Sequence, residues 1–167
     1  VTFPPQRELR IEHTFSLGSG IDVEDDRFTT YVTRTGIGWA KSIGGLKTLI
    51  ARADANAKAI ADWVARAPWI DFLAKDPAIR SNTSVCLKVV DPAITGLPAE
   101  AQAAFAKNLA AAIEKEGVAY DIGAYRDAPS GLRIWAGATV EAADLEALTL
   151  WLDWAFQSQK AALKQAA

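Results

Sequence analysis

The sequence predicts an α+β domain, an antiparallel sheet of about four strands covered on one face by about three helices. Apolar residues recur at helical spacing in three long stretches, and four short apolar or β-branched runs lie between those stretches. Glycine or proline marks most of the junctions. Elements that are each apolar on one side bury that side most simply as helices laid on one face of a sheet. A chain of 167 residues, 50% hydrophobic and 23% charged, can build such a core.

The segment from Val1 to Gly38 reads differently from the rest and is expected to be an extension, with the domain running from residue 39 to 167. Leu9, Ile11, Phe15 and Leu17 keep close to the period of a half-buried strand, and Phe28 to Thr33 is rich in β-branched and aromatic residues. Asp22, Glu24, Asp25 and Asp26 between them read as a solvated acidic loop. From Trp39, the residues Ile43, Leu46, Ile50, Ala53, Ala57, Ile60 and Val64 recur every three or four positions, which predicts a long amphipathic helix packed on the sheet along its length. Gly44-Gly45 weakens its first turns, and Pro68 ends it.

Trp69 to Leu73 and Thr83 to Val90 are apolar runs separated by the polar stretch Lys75 to Asn82, and they can pair as a hairpin. Pro98 opens a second helix carried by Ala101, Phe105, Leu109, Ala112 and Ile113, and Gly117 stands where its C-terminal cap belongs. Val118 to Ile122 and Leu132 to Ala136 read as two further strands. A last helix runs from near Glu141 towards Lys164 on Leu145, Leu148, Leu152, Ala155, Phe156 and Leu163.

Composition narrows the function. A net charge of -2, from 18 basic and 20 acidic residues scattered along the chain, gives no field to hold a polyanion, so nucleic acid is not an expected partner. No apolar stretch approaches the roughly 20 residues of a membrane span, and no membrane partner is expected. The lone Cys86 cannot form an internal disulfide and fits a reducing compartment, with the cytoplasm as the default. One cysteine and one histidine, His13, do not make a zinc site, and no metal is expected. His13 has no serine or carboxylate fixed beside it by any motif, so no catalytic residue is assigned. Lys41 and Lys88 lack the pocket an imine-forming lysine needs and read as solvated stems.

The stretch Tyr125-Arg126-Asp127-Ala128-Pro129-Ser130-Gly131-Leu132-Arg133-Ile134-Trp135 is the most informative chemically. It puts Arg126 on a loop and Arg133 on a strand between apolar neighbours. A guanidinium is always charged, and its planar fork matches a carboxylate or phosphate with two parallel hydrogen bonds. Burying it alone is costly, so Arg133 implies an anionic partner: an internal one, Asp121 or Asp127 for instance, or a ligand.

Three motifs, Trp39-Ala40-Lys41-Ser42-Ile43-Gly44-Gly45-Leu46, Arg80-Ser81-Asn82-Thr83-Ser84-Val85 and Gly131-Leu132-Arg133-Ile134-Trp135-Ala136-Gly137-Ala138-Thr139-Val140-Glu141, resemble the bacterial-type phosphoserine aminotransferase family in order and spacing. The resemblance runs from Trp39 to about Phe156. It implies the C-terminal small domain of a fold-type I aminotransferase, an enzyme of serine biosynthesis that moves the amino group of glutamate through pyridoxal 5'-phosphate to 3-phosphohydroxypyruvate. It also implies that Arg133 holds the substrate α-carboxylate and that Arg126 helps with the phosphate or distal carboxylate. The family's Schiff-base lysine, the aspartate at the pyridine nitrogen and the phosphate-binding turn belong to a large domain, and no segment here resembles them. The expectation is therefore a domain that partners a missing large domain and binds no cofactor by itself, with a stand-alone binding module derived from the small domain as the alternative.

Overall fold

The computed structural model describes residues 36–125 and 127–166. The strands expected within Leu9 to Leu17 and Phe28 to Thr33, the acidic loop between them, His13 and Arg126 lie outside the described residues. The elements in order are α1 (Gly45–Val64), β1 (Ile70–Phe72), β2 (Ser84–Val89), α2 (Pro92–Thr95), α3 (Ala99–Lys115), β3 (Leu132–Trp135) and α4 (Ala142–Ala166). A short helical stretch at 36–42 precedes α1, and a 3₁₀ turn, Pro77–Ile79, stands between β1 and β2.

The class is α+β, as the sequence predicts. The long helix is broken where its glycine pair sits: Gly44 and Gly45 both take left-handed backbone, at φ 111° and 71°. That conformation is cheap only without a Cβ, so α1 starts cleanly after the break. The stop at Pro68 is also as expected. The apolar stripe is not packed along its whole length, however. Ala53, Ile60 and Trp63 are buried, but Leu46 is 71% and Ile50 50% exposed. The sheet and α4 meet only the C-terminal half of the stripe.

The sheet has three strands in the order β1-β2-β3, both pairs antiparallel, rather than four. The apolar run Val118 to Ile122 is not a strand. Helix α3 ends in a Schellman cap with Gly117 at φ 68°, the Val118 N–H reaching the Ile113 carbonyl at 3.2 Å and the Gly117 N–H that of Glu114 at 2.9 Å. Four residues later Asp121 turns left-handed at φ 53°. Two such turns leave no room for an extended ladder, and the segment meets β3 only through a bridge between Gly123 and Leu132 and the Arg133 N–H to Ile122 carbonyl bond of 2.8 Å.

The register sorts the strand residues onto two faces. Ile70 opposite Val89, Phe72 opposite Leu87, Val85 opposite Ile134 and Leu87 opposite Leu132 share the inner face, which joins the hydrophobic core. Asp71 opposite Lys88, Cys86 opposite Arg133 and Ser84 opposite Trp135 share the outer face, on which no helix lies among the described residues. Helix α4 packs against both α1 and α3. At its centre Phe156 stacks flat on Trp69 with centroids 4.4 Å apart, and Trp63 and Phe105 meet this pair edge-on. Asp153, on α4, accepts the indole N–H of Trp69 at 2.7 Å and of Trp63 at 3.2 Å. The centre of the core thus has a polar anchor.

Candidate functional site

Gly131 explains how β3 comes to hold Arg133 where it does. A Cβ at Gly131 would lie 2.0 Å from the Leu87 carbonyl oxygen, so only glycine lets β3 enter the sheet this close to β2. From there strand alternation buries Leu132 and Ile134 and turns Arg133 to the outer face, opposite Cys86. The sequence placed Arg133 among apolar neighbours as a guanidinium in need of burial. The neighbours point inward and Arg133 outward, and its side chain keeps 34% of its exposure.

Its partner is Asp121, one of the two acids the sequence offered. Arg133 Nη2 donates to Asp121 Oδ2 at 3.2 Å, and the Tyr125 ring centroid stands 6.0 Å from the guanidinium carbon. Among the described residues Nε and Nη1 meet no acceptor, and both two-nitrogen edges of the fork, Nε–Nη2 and Nη1–Nη2, include the nitrogen that Asp121 takes. Ser84, Tyr120, Asp121, Ile122, Arg133 and Trp135 line a hollow here. It is small and lined mainly by apolar surface, Ile134 and Leu148 included, with Arg133 and Asp121 as its charged groups.

A cradle of hydrogen bonds fixes the strand end beyond Arg133. Asn56, 1% exposed on α1, aims its amide nitrogen at the carbonyl oxygens of Ala136, Gly137 and Val140 at 3.1, 2.9 and 3.0 Å. Arg52, one turn earlier, donates to the Ala138 carbonyl at 2.8 Å and pairs with Glu141. Trp135 Nε1 donates to Thr139 Oγ1 at 3.1 Å. The second motif is tied in as well: Ala136 N–H reaches the Thr83 carbonyl at 2.7 Å, and Asn82 donates to Asp54 of α1 at 2.7 Å. Arg80 holds the β1–β2 loop by bonds to the Ala74 and Lys75 carbonyls at 2.9 and 3.0 Å, and lies 3.9 Å over the Phe72 ring. So the motifs around Arg80 and Gly131 are adjacent strands of one sheet, both stapled to α1. Asn56 drew no notice in the sequence and Arg52 reads there only as part of the helix's polar side, because a polar residue on an amphipathic helix looks the same whether it faces water or a loop 80 or more residues away.

The described residues do not fit pyridoxal phosphate. Lys41 is exposed, and Lys88 stands half-buried on the outer sheet face across from Asp71. Neither lines any of the hollows formed among the described residues around Arg133, Arg66 and Arg80. Among the described residues no group of three or more histidine, cysteine or acidic side chains is placed to hold a metal, and no helix is long and apolar enough to cross a membrane.

No family model matches the chain. Over 122 residues, 73% of its length, it is 52% identical to the phosphoserine aminotransferase of Methanosarcina barkeri and 49% identical to that of Methanosarcina mazei. These alignments take up 30% of each relative, so the chain spans less than a third of the curated relatives it matches. Among solved structures, the phosphoserine aminotransferase of Bacillus circulans subsp. alkalophilus superposes with a TM-score of 0.65 at 20% identity, over 79% of this chain and 33% of that one. A phosphoserine aminotransferase solved to follow radiation damage at its Schiff base gives a TM-score of 0.64 at 17% identity, over 80% of this chain and 34% of that one. At these identities the superpositions establish the fold, and the alignments at 52% and 49% make the chain similar to about 30% of the length of the curated phosphoserine aminotransferases, consistent with a C-terminal piece of such an enzyme.

Proposed function

We propose that residues 39–167 are the small domain of a phosphoserine aminotransferase, that residues 1–38 are an extension to it, and that the domain anchors the substrate for a reacting centre carried by a separate large domain. The observation that carries this reading is the state of Arg133. It stands on the outer sheet face, held by one nitrogen, with Nε and Nη1 meeting no acceptor among the described residues. An arginine so disposed binds a carboxylate with two charge-assisted hydrogen bonds and fixes its orientation as well as its position. Orientation is what a transamination asks of such a domain, because the reacting carbon must be held in one attitude while a proton moves. Arg126 contributes the second charge, for the phosphate of phosphohydroxypyruvate or the distal carboxylate of glutamate. The outer face around Arg133 is then the surface that meets the large domain.

The amino transfer itself falls to pyridoxal phosphate, whose lysine, ring-nitrogen acid and phosphate turn are supplied by the large domain. Every step assigned to this chain is therefore a binding step. Assaying the chain alone with pyridoxal phosphate, glutamate and 3-phosphohydroxypyruvate tests the division of labour. No 2-oxoglutarate is expected above the protein-free control. Steady turnover abolished by Arg133→Ala would overturn it, because the chain would then hold a complete site.

A further inference from the structure

The partner that Arg133 already has is chemically the same as the one proposed for it. We propose that Asp121 is an internal substitute for the ligand carboxylate, occupying the Arg133 guanidinium until an acidic ligand displaces it, and so sets how strong an acid-bearing ligand must be to engage the site. The inference rests on reading Arg133 as a carboxylate anchor and concerns how that anchor is regulated.

The geometry is that of a reversible occupant. Of the Arg133 fork, Asp121 engages one nitrogen, Nη2, at 3.2 Å, where a permanent clamp on the guanidinium would take two of its donors. Both side chains reach solvent, 34% exposed for Arg133 and 66% for Asp121. Exchange therefore needs no opening of the core. The backbone, by contrast, is fixed: Asp121 is the only non-glycine residue with positive φ among the described residues, and the next two residues are stapled to β3 through the Ile122 carbonyl and the Gly123 bridge. A left-handed residue held at its following neighbours cannot drift away, so release is a rotation of one short side chain, after which the carboxylate stays close enough to return. The Tyr125 ring, its centroid 6.0 Å from the guanidinium carbon, remains beside Arg133 when Asp121 has left.

Exposed ion pairs of this kind are weak, so the barrier they set is small: removing Asp121's charge should tighten ligand binding by about two- to fivefold. Asparagine adopts left-handed backbone readily, so Asp121→Asn keeps the loop, and Asp121→Gly serves as a second variant that keeps it by a different route. The experiment is a titration of the chain with glutamate, and separately with phosphoserine, at constant ionic strength, following the backbone amide resonances of β3 by NMR. Both Asp121 variants are expected to bind each ligand about two- to fivefold more tightly than the unaltered chain, while Asp71→Asn, which removes a charge elsewhere on the same face, leaves affinity unchanged. No gain in the Asp121 variants, a lack of response in every protein included, overturns the proposal, and so does an equal gain in Asp71→Asn. Arg133→Gln separates the two readings. If it abolishes binding while Asp121→Asn changes nothing, the anchor stands and the internal substitute falls; if it binds as tightly as the unaltered chain, the anchor itself falls and the substitute with it.

Discussion

Replacing Asp153 by alanine should destabilise the domain by about 2 to 4 kcal/mol. Its carboxylate accepts two indole N–H groups, from Trp69 at 2.7 Å and from Trp63 at 3.2 Å, on rings that are 3% and 1% exposed. Each buried donor left without an acceptor costs about 1 to 3 kcal/mol, which sums to about 2 to 6. Asp153 is itself only half-buried, so the truncation admits water to part of the vacated space, and the lower part of that range applies. Asp153→Asn keeps one carbonyl oxygen and turns an N–H₂ group on the other indole, so it should lose about 1 to 3 kcal/mol. The assay is urea unfolding followed by tryptophan fluorescence, with the slope of free energy against denaturant checked for constancy. Asp62→Ala is the control, since its i,i+4 pair with Lys58 is exposed and worth about 0.3 to 0.5 kcal/mol. A midpoint shift for Asp153→Ala no larger than that of Asp62→Ala would refute the idea that this carboxylate anchors the aromatic core.

Four further substitutions test other parts of the architecture. Ile60→Ala, at a site 1% exposed, should lose about 2 to 5 kcal/mol. Leu46→Ala, on the same stripe but 71% exposed, should stay within about 0.5 kcal/mol in the same unfolding assay. Gly131→Ala puts a methyl group 2.0 Å from the Leu87 carbonyl and should destabilise by at least about 1 to 3 kcal/mol, with hydrogen exchange speeding first in β2 and β3. Asn56→Ala strips three carbonyls of their shared donor and should lose about 1 to 3 kcal/mol, accelerating amide exchange in residues 136–140.

Local pattern made the helices legible. Period and punctuation located α1, α3 and α4, and Gly117 was readable as a cap because a left-handed residue after a helix has a sequence signature. Three features were not, each for a physical reason. Val118 to Ile122 has a strand's composition, but its extension is cancelled by the turn at Asp121, and an aspartate in left-handed backbone leaves no mark in a sequence. The stripe through Leu46 and Ile50 shows which side of a helix is apolar, but whether another element covers that side is settled by tertiary packing alone. Asn56 and Asp153 act on partners 80 or more positions away, beyond the reach of any periodic signal. For the candidate site the sequence singled out Arg133 and offered Asp121 as a partner. It missed that alternation turns the arginine outward, because the apolar neighbours that seemed to bury it are those that fill the opposite face.

In the proposed division of labour this domain lends Arg133 to a reacting centre built by another domain. The most direct measurement replaces the matching segment of the Methanosarcina barkeri phosphoserine aminotransferase, 52% identical over 122 residues, with residues 39–167 of this chain, and measures kcat and KM for phosphoserine with and without Arg133→Ala. The chimera should transaminate. Arg133→Ala should lower its kcat/KM by about 10- to 150-fold, the equivalent of about 1.5 to 3 kcal/mol for a hydrogen bond to a charged group, without altering its unfolding midpoint. A chimera that folds and turns over equally well with alanine at position 133 would contradict the claim.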